Sequence, residues 1–292
     1  MIPGAFDYHA PRSLDEALKL LAQHGPEAKL LAGGHSLLPM MKLRLAAPAT
    51  LIDLGKIADL RYLREDAGQI AIGAMATHTE VEKSELLRHR APLLPETAGE
   101  IGDVQVRNRG TVGGTVAHAD PAADYPAALL VLEAEFVLAS SKGTRTLAAK
   151  DFFVEMLTTA LEPGEILTEI RFAPDSGQTG TAYRKLHQPA SGFALVGVAA
   201  RLRLADGKCA AVAVGITGVA SKAYRAAGVE QVLAGQALDA RRIAEAAKKA
   251  AEGIEPLSDL HASARYRAAM AEVFTRRALT AAFERARARK AS

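Results

Sequence analysis

Two Gly-Gly turns, each followed by a small hydroxyl residue, are the positions at which this sequence most clearly offers a binding chemistry. Gly33-Gly34 ends a short apolar segment and is followed by Ser36, and Gly113-Gly114 is followed by Thr115. Glycine permits positive φ angles and lets a ligand approach the backbone closely. Successive N–H groups in such a turn bind anions, and a helix N-terminus beside the turn adds positive potential. Two such turns, if they meet in space, would suit the diphosphate of a dinucleotide-like ligand.

A plainer interpretation stays open at this point. A single Gly-Gly pair is more often an ordinary turn or strand end than a phosphate site, and spacing along the chain does not show whether the two pairs meet. The usual nucleotide motifs are absent: no two glycines are separated by one residue, and no Gly-Lys-Ser or Gly-Lys-Thr occurs. A dinucleotide would therefore bind here without a Rossmann fingerprint or a P-loop.

The sequence offers little support for hydrolytic or metal chemistry. Gly34–Leu38 resembles half of a nucleophile elbow, but Leu38 stands where that motif requires a second glycine. The eight histidines include no H-x-x-x-H pair, and His118-Ala-Asp120 is best interpreted as a polar loop without metal. We therefore expect no catalytic side chain and no metal ligand in this chain.

Composition narrows the class of protein further. The 292 residues carry 36 basic and 33 acidic side chains, a net charge of +3 that gives no electrostatic case for nucleic acid. Cys209 is the only cysteine, which fits a reducing compartment and excludes an all-cysteine iron–sulfur cluster within this chain. The start of the sequence lacks the features of a signal peptide, and no apolar run approaches the roughly 20 residues of a membrane span. These features predict a cytoplasmic protein.

The elements that position the turns form an α+β pattern in two domains. Helices and strands alternate up to about residue 172, and S-x-x-E and T-x-x-E capping boxes at Ser13 and Thr77 mark two helix starts. We expect Ser36 to cap a third, short helix that begins at Leu37. A polar, glycine-rich segment at 174–180 predicts the boundary between domains 1–175 and 176–292.

The second domain has a different pattern, in which strands come first and helices follow. We expect a three-stranded sheet covered on one face by helices. The predicted strands are Thr181–Leu186, Phe193–Leu204 and Cys209–Val219, and the predicted helices are Ala223–Leu233, Asp239–Glu252 and Ser263–Arg287.

The two turns also carry a family resemblance. Ala32–Pro39 and Thr111–Thr115, the latter followed by Ala117–Pro121, resemble the two FAD diphosphate loops of the FAD-binding (medium) subunits of molybdenum hydroxylases of the carbon monoxide dehydrogenase and xanthine dehydrogenase type. Ile2–Tyr8 and Gln105–Thr111 resemble the same proteins, so the resemblance covers essentially the whole chain. The two loops in this order and separation are its specific signal.

The resemblance implies a fold and a function. The first domain would be a two-lobed, vanillyl-alcohol-oxidase-type (PCMH-type) FAD domain with FAD bound non-covalently between its lobes, and the second the small C-terminal flavoprotein domain. The FAD would take electrons from two [2Fe–2S] clusters on a small partner subunit and pass them to NAD, a quinone or oxygen. A large partner would hold molybdopterin-bound molybdenum in a dimer of heterotrimers, in the cytoplasm or at the inner face of the membrane.

The resemblance also assigns cofactor-binding residues. One side of the diphosphate would be bound by Ala32, Gly33, Gly34, His35 and Ser36, and the other by Thr111, Gly113, Gly114 and Thr115. Asp124 would accept from the adenosine ribose, with a plain N-terminal helix residue as an equal alternative.

Two further positions would lie near the flavin ring. Lys185 matches a lysine that the family places near the ring, and an exposed strand lysine is the alternative. Phe193 stands where some carbon monoxide enzymes have a tyrosine beside the isoalloxazine, so it keeps a stacking surface and loses the hydroxyl. Two other functions stay open, a stand-alone FAD-dependent oxidase or reductase of the same fold and a nucleotide-binding interaction module, although the C-terminal region offers no acid–base cluster for an oxidase.

Overall fold

The computed structural model describes residues 2–289, so Met1 and residues 290–292, at the outer ends of the two predicted domains, lie outside the described range. The first lobe is a parallel three-stranded sheet in the order β1-β3-β2 with two helices. Ser13 caps the first helix by accepting from the Glu16 amide, as the capping box predicts. Its elements are β1 (Asp7–His9), α1 (Leu14–His24), β2 (Ala28–Leu31), α2 (Leu37–Lys42) and β3 (Thr50–Asp53).

The second lobe is an antiparallel five-stranded sheet in the order β4-β5-β10-β6-β7 with short helices packed on it. The predicted capping box at Thr77 and Glu80 is present at the start of α3. The elements are β4 (Leu63–Asp66), β5 (Gln69–Gly73), α3 (His78–Lys83), α4 (Glu85–Arg90), α5 (Leu93–Gly99), α6 (Val104–Arg109), α7 (Val112–His118), α8 (Tyr125–Val131), β6 (Glu135–Ser140), β7 (Gly143–Ala148), α9 (Ala149–Phe152), β8 (Phe153–Glu155), β9 (Thr158–Thr159) and β10 (Ile166–Phe172).

The C-terminal part is an antiparallel sheet in the order β11-β12-β13-β14, followed by helices. The three predicted strands are present in order, but a fourth strand of two residues extends the sheet, and it is too short to show a periodic pattern in the sequence. The elements are β11 (Gln178–His187), β12 (Ala194–Ala205), β13 (Lys208–Thr217), β14 (Tyr224–Arg225), α10 (Ala227–Leu233), α11 (Ala240–Ala247) and α12 (Ala264–Ala288).

Both faces of this last sheet are covered, whereas we expected helices on one face only. Val198 and Ala200 belong to the core shared with α12, while Ala199 between them belongs to the core shared with α8. Successive strand residues point to opposite faces, so α8 and α12 lie on opposite sides of the sheet. Helix α8, which belongs to the second lobe, is buried at every residue. This burial makes the C-terminal sheet part of one continuous structure with the second lobe.

Glycines permit the closest approaches on these two faces. A Cβ on Gly215 would overlap the Ala127 carbonyl oxygen of α8, and a Cβ on Gly180 would overlap the Ala282 carbonyl oxygen of α12.

The residues 2–289 include no helix long and apolar enough to cross a membrane.

Replacement of Gly215 by alanine tests this packing. The added methyl group must push α8 away from β13, so we expect the free energy of unfolding to fall by about 1–3 kcal/mol, the usual cost of overpacking a core. Urea unfolding measures the change. Gly99→Ala is the matched control, because the nearest atom to its Cβ is a Glu82 carboxylate oxygen at 3.9 Å. Equal stability of the two variants would contradict the packing.

Candidate functional site

The two Gly-Gly turns meet in the folded chain. A Cβ on Gly33 would lie 2.5 Å from the Arg109 carbonyl oxygen and 2.6 Å from the Gly110 Cα, so the first turn packs directly on the backbone that enters the second. A Cβ on Gly114 would lie 3.4 Å from the Ala32 Cβ, which places the second turn against the first as well. The convergence that sequence spacing left open is therefore present.

The first turn presents unused backbone donors. Gly34 has a φ of +81°, a left-handed conformation that favours glycine. Within residues 2–289, no acceptor is bonded to the amide N–H groups of Gly33, Gly34, His35 and Ser36. Ser36 stands at the predicted position before α2, but its hydroxyl makes no capping hydrogen bond, contrary to our expectation. The turn thus offers four amides and a hydroxyl to an anion.

The second turn does not repeat this arrangement. Thr111 Oγ1 caps α7 by accepting from the Gly114 amide at 3.1 Å, and the Gly113 amide donates to the Ala74 carbonyl at 2.9 Å. Thr115 directs both its amide and its hydroxyl to the Thr111 carbonyl, at 3.1 and 3.2 Å. Because these donors are already used, the second turn is a closed wall, and the expectation of two equivalent anion nests is wrong.

The second glycine pair is instead required for packing. A Cβ on Gly113 would lie 2.5 Å from the Ala74 Cβ, just after β5. The Val112 amide donates to the Ala76 carbonyl, and Thr77 forms a bridge with Thr111. These contacts tie the start of α7 to the sheet of the second lobe, so the wall is held rigidly.

Asp124 and Lys185 form a buried ion pair between the second lobe and the C-terminal sheet. The Lys185 ammonium donates to Asp124 Oδ2 at 2.8 Å and to the Glu100 carbonyl at 2.8 Å. The Tyr183 hydroxyl donates to Asp124 Oδ1 at 2.5 Å. The Lys185 side chain is 0% exposed, so the alternative of an exposed strand lysine is wrong. Asp124 lies at the N-cap position of α8 but makes no capping bond.

The electrostatics of this cluster follow from its burial. Burial raises the pKa of Asp124, while the Lys185 ammonium and the two donors to the carboxylate act in the opposite direction. The pKa of Tyr183 is raised as well, by burial and by the negative charge of Asp124. Each oxygen of the carboxylate already has a donor, so any ligand hydroxyl that reaches Asp124 must join this network rather than replace it.

A seam of backbone hydrogen bonds brings Phe193 to the same region. The Ala194 amide donates to the Ala122 carbonyl at 3.1 Å, and the Gly218 amide donates to the Pro121 carbonyl at 2.7 Å. Phe193, directly before Ala194, is thereby held beside the segment that leads to Asp124. Its side chain is 43% exposed, as a surface for a flat ring would be.

Two residues of this region were not singled out by the sequence. Tyr183 lies two positions before Lys185 on β11, and the strand period of two could have placed both side chains on one face. His78 lies at the start of α3, where the Thr77 capping box shows a helix start but not the direction of the side chain. Its ring is buried, 3% exposed, and faces Gly110.

Metal chemistry receives no support from the described part of the chain. Residues 2–289 contain no group of three or more histidine, cysteine, aspartate or glutamate side chains placed to hold a metal ion. Asp120 accepts from the Ala122 amide at 2.8 Å and so shapes the loop that follows α7.

Comparison with known proteins defines the class of this protein. Residues 4–174 match a family described as "FAD binding domain in molybdopterin dehydrogenase", and residues 181–282 match one described as "CO dehydrogenase flavoprotein C-terminal domain". The carbon monoxide dehydrogenase medium chain of Hydrogenophaga pseudoflava is 44% identical over 285 residues, which cover 98% of this chain and 99% of that protein.

Solved structures agree with the match. A chain of the Hydrogenophaga pseudoflava carbon monoxide dehydrogenase that lacks the Mo-pyranopterin moiety superimposes with a TM-score of 0.95 at 45% identity, covering 98% of this chain and 99% of that one. A chain of quinoline 2-oxidoreductase from Pseudomonas putida 86 gives 0.92 at 35% identity, covering 98% and 100%.

The fold and the matches define an FAD-binding oxidoreductase subunit. The chain belongs to the family of FAD-binding medium subunits of molybdenum hydroxylases, which confirms the resemblance carried by its two loops.

The pH dependence of folding tests the burial of His78. Burial, with the nearby His35 and Arg107, lowers the pKa of His78 from 6.5 to about 4. Below pH 6.5 the unfolded chain binds a proton that the folded chain does not accept until about pH 4, so stability falls as the pH drops through this window. The loss from this group approaches about 3 kcal/mol near pH 4.

Urea unfolding between pH 7 and pH 4 measures this loss, with His78→Gln as the comparison because glutamine does not titrate. We expect the variant to lose less stability over the same window. Parallel pH profiles for the two proteins would show that His78 titrates normally in the folded chain.

Proposed function

We propose that this chain carries FAD as the electron-transfer subunit of a multi-subunit molybdenum hydroxylase. It takes electrons from the [2Fe–2S] clusters of a partner subunit and passes them to an external acceptor, which is NAD, a quinone or oxygen. The observation that carries the proposal is the meeting of the two Gly-Gly turns, with four unused amides on one side and a rigid wall on the other.

The residues present fit the diphosphate of FAD. The amides of Gly33 to Ser36 and the Ser36 hydroxyl bind its oxygens from one side, with the exposed His35 side chain at the rim. The helical turn from Thr111 to Thr115 lines the other side, where Gly113 and Gly114 keep the wall thin. A diphosphate needs several donors and no bulky side chain between them, and this is what the two turns provide.

The other residues of the proposed site lie beyond the diphosphate seat. Asp124 accepts a hydrogen bond from the ribose while it remains paired with Lys185. Lys185 supplies positive charge near the flavin ring. Phe193 offers an exposed aromatic face for stacking. Bound FAD supplies the redox chemistry, and the chain binds, orients and electrostatically tunes it.

Substrate oxidation belongs to partner subunits in this proposal. The relatives named for carbon monoxide and for quinoline contain chains that superimpose almost equally well on this one, which supports choice of the substrate elsewhere. Cys209 is buried, and burial raises the pKa of its thiol to about 11, so it is unsuited to ligate a cluster. A large molybdopterin-binding subunit and a small [2Fe–2S] subunit complete the proposed dimer of heterotrimers in the cytoplasm.

The proposed domain boundary at 175–176 lies between two sheets. β10 ends at Phe172 and β11 begins at Gln178, and the two family matches end and begin on either side of this junction. The ion pair of Asp124 with Lys185 and the packing of α8 then cross from one proposed domain to the other.

Gly33→Ala tests the meeting of the turns. Its Cβ would run into the Arg109 carbonyl oxygen and separate the turns, so we expect FAD to bind at least about tenfold more weakly, or ~1.4 kcal/mol. Gly114→Ala should act in the same direction, because its Cβ would lie 2.8 Å from Thr111 Oγ1. Isothermal titration of the flavin-free chain with FAD measures the affinity.

Gly99→Ala serves as the control for both substitutions, since its added methyl group would meet only a Glu82 carboxylate oxygen, at 3.9 Å. Wild-type affinity in Gly33→Ala would remove the support for a diphosphate seat between the turns.

The composition of the purified assembly tests the electron-transfer role. Expressed alone and reconstituted with FAD, the chain should show a flavin absorption spectrum and contain no iron. Expressed with its neighbouring subunits, it should co-purify with chains that contain iron and molybdenum, and reducing those partners should bleach the flavin. A colourless chain after reconstitution would refute the assignment, and turnover of a small substrate by the isolated chain would favour a stand-alone oxidase.

A further inference from the structure

A buried histidine lies directly beneath the place where the two turns meet. His78 is the first residue of α3, and the capping box of Thr77 and Glu80 fixes the backbone there. The His78 amide donates to the Gly110 carbonyl at 3.0 Å, which ties this helix start to the residue that enters the second turn.

The imidazole supports the contact between the turns from behind. A Cβ on Gly110 would lie 2.5 Å from His78 Nε2 and 2.7 Å from Cδ2, so the ring lies flush against this glycine. A Cβ on Gly33 would lie 2.6 Å from the Gly110 Cα. Gly33, Gly110 and the imidazole of His78 therefore form three successive layers, with the open amides of the first turn in the outermost layer.

The remaining surroundings of the imidazole ring indicate no other role for His78. Nδ1 is enclosed without a hydrogen-bond partner among the described residues, and so is the hydroxyl of Tyr125, whose ring centroid lies 5.4 Å from that of the imidazole. An enclosed polar atom without a partner is costly, so a purely apolar side chain would serve the core better. The ring remains neutral near pH 7, because burial, with the nearby His35 and Arg107, lowers its pKa to about 4.

We propose that His78 is a positioning residue for the FAD diphosphate: its flat imidazole holds Gly110 against Gly33 and so sets the separation of the two turns. A smaller side chain would let Gly110 sink toward the core and would withdraw the wall from the open amides. The proposal depends on FAD binding by this chain, and it assigns His78 a role without contact with the flavin ring.

Affinity measurements on the full flavin-free chain test the role. We expect His78→Ala to bind FAD at least about tenfold more weakly than the wild type. It should bind ADP more weakly by the same factor, because ADP carries the diphosphate without the flavin. A loss confined to FAD would place the effect at the ring and overturn the proposal, and so would unchanged affinity for both ligands.

A matched control separates positioning from general stability. His24 is partly buried and, like His78, has an enclosed ring nitrogen without a partner among the described residues, but it lies at the end of α1 beside His9 and Thr50. His24→Ala should lower the melting temperature of the flavin-free chain and leave both affinities unchanged. Should His78→Ala fail to fold, His78→Gln retains a neutral side chain of similar volume, and we expect a smaller loss of the same kind.

A double-mutant cycle then tests the contact itself. Gly110→Ala alone should weaken FAD binding, because its methyl group meets the imidazole. In the double variant with His78→Ala the methyl group fills part of the space that the ring leaves, so the combined loss should be smaller than the product of the two single losses. Losses that multiply would overturn the role of the contact, whereas absence of FAD binding by the wild type would instead refute the proposed function.

Discussion

The contact of Gly33 with the backbone of Arg109 and Gly110 is the constraint on which the rest of the site depends. Gly33 follows a parallel strand of the first lobe, and Gly110 follows a helix of the second, so this contact joins the two lobes. No side chain fits between them, and neither lobe can move relative to the other without opening the seat between the turns. The capped helix starts at Asp103 and Thr111 hold the second lobe's side of the contact in place.

A second junction joins this pair of lobes to the C-terminal sheet, and it combines the close packing of α8 on β13 with a buried ion pair. The buried pair of Asp124 and Lys185 adds little net stability, because desolvation offsets much of the attraction, but removal of one partner leaves a buried charge and costs about 3–5 kcal/mol. Such a pair tolerates one arrangement only. Together with the carbonyls of Pro121 and Ala122 it fixes Phe193 relative to the second lobe, so the two proposed domains act as one support for a cofactor.

Local signals predicted the capped helix starts and the strands of the C-terminal sheet, and contacts between distant residues account for what the sequence did not show. The capping boxes at Ser13 and Thr77 and the strand patterns of the C-terminal sheet depend on neighbouring residues, so they can be read directly. The burial of Lys185 depends on partners about 60 and 85 positions away, and the direction of the His78 ring depends on Gly110. No periodic pattern in the sequence encodes contacts over such distances. The pairing of the two turns was predicted from the family resemblance instead.

The difference between the turns has a physical reason. A turn with four unused amides is costly to enclose, so a site made of two such turns would be poorly ordered before its anion arrives. Because the Gly113 and Gly114 amides are bonded within the chain, the second turn forms without a ligand and presents a fixed wall. Only the first turn, at the surface, would need the proposed anion to complete its hydrogen bonds. Less ordering is then left for the binding step, and preorganisation of this kind strengthens the binding of a ligand.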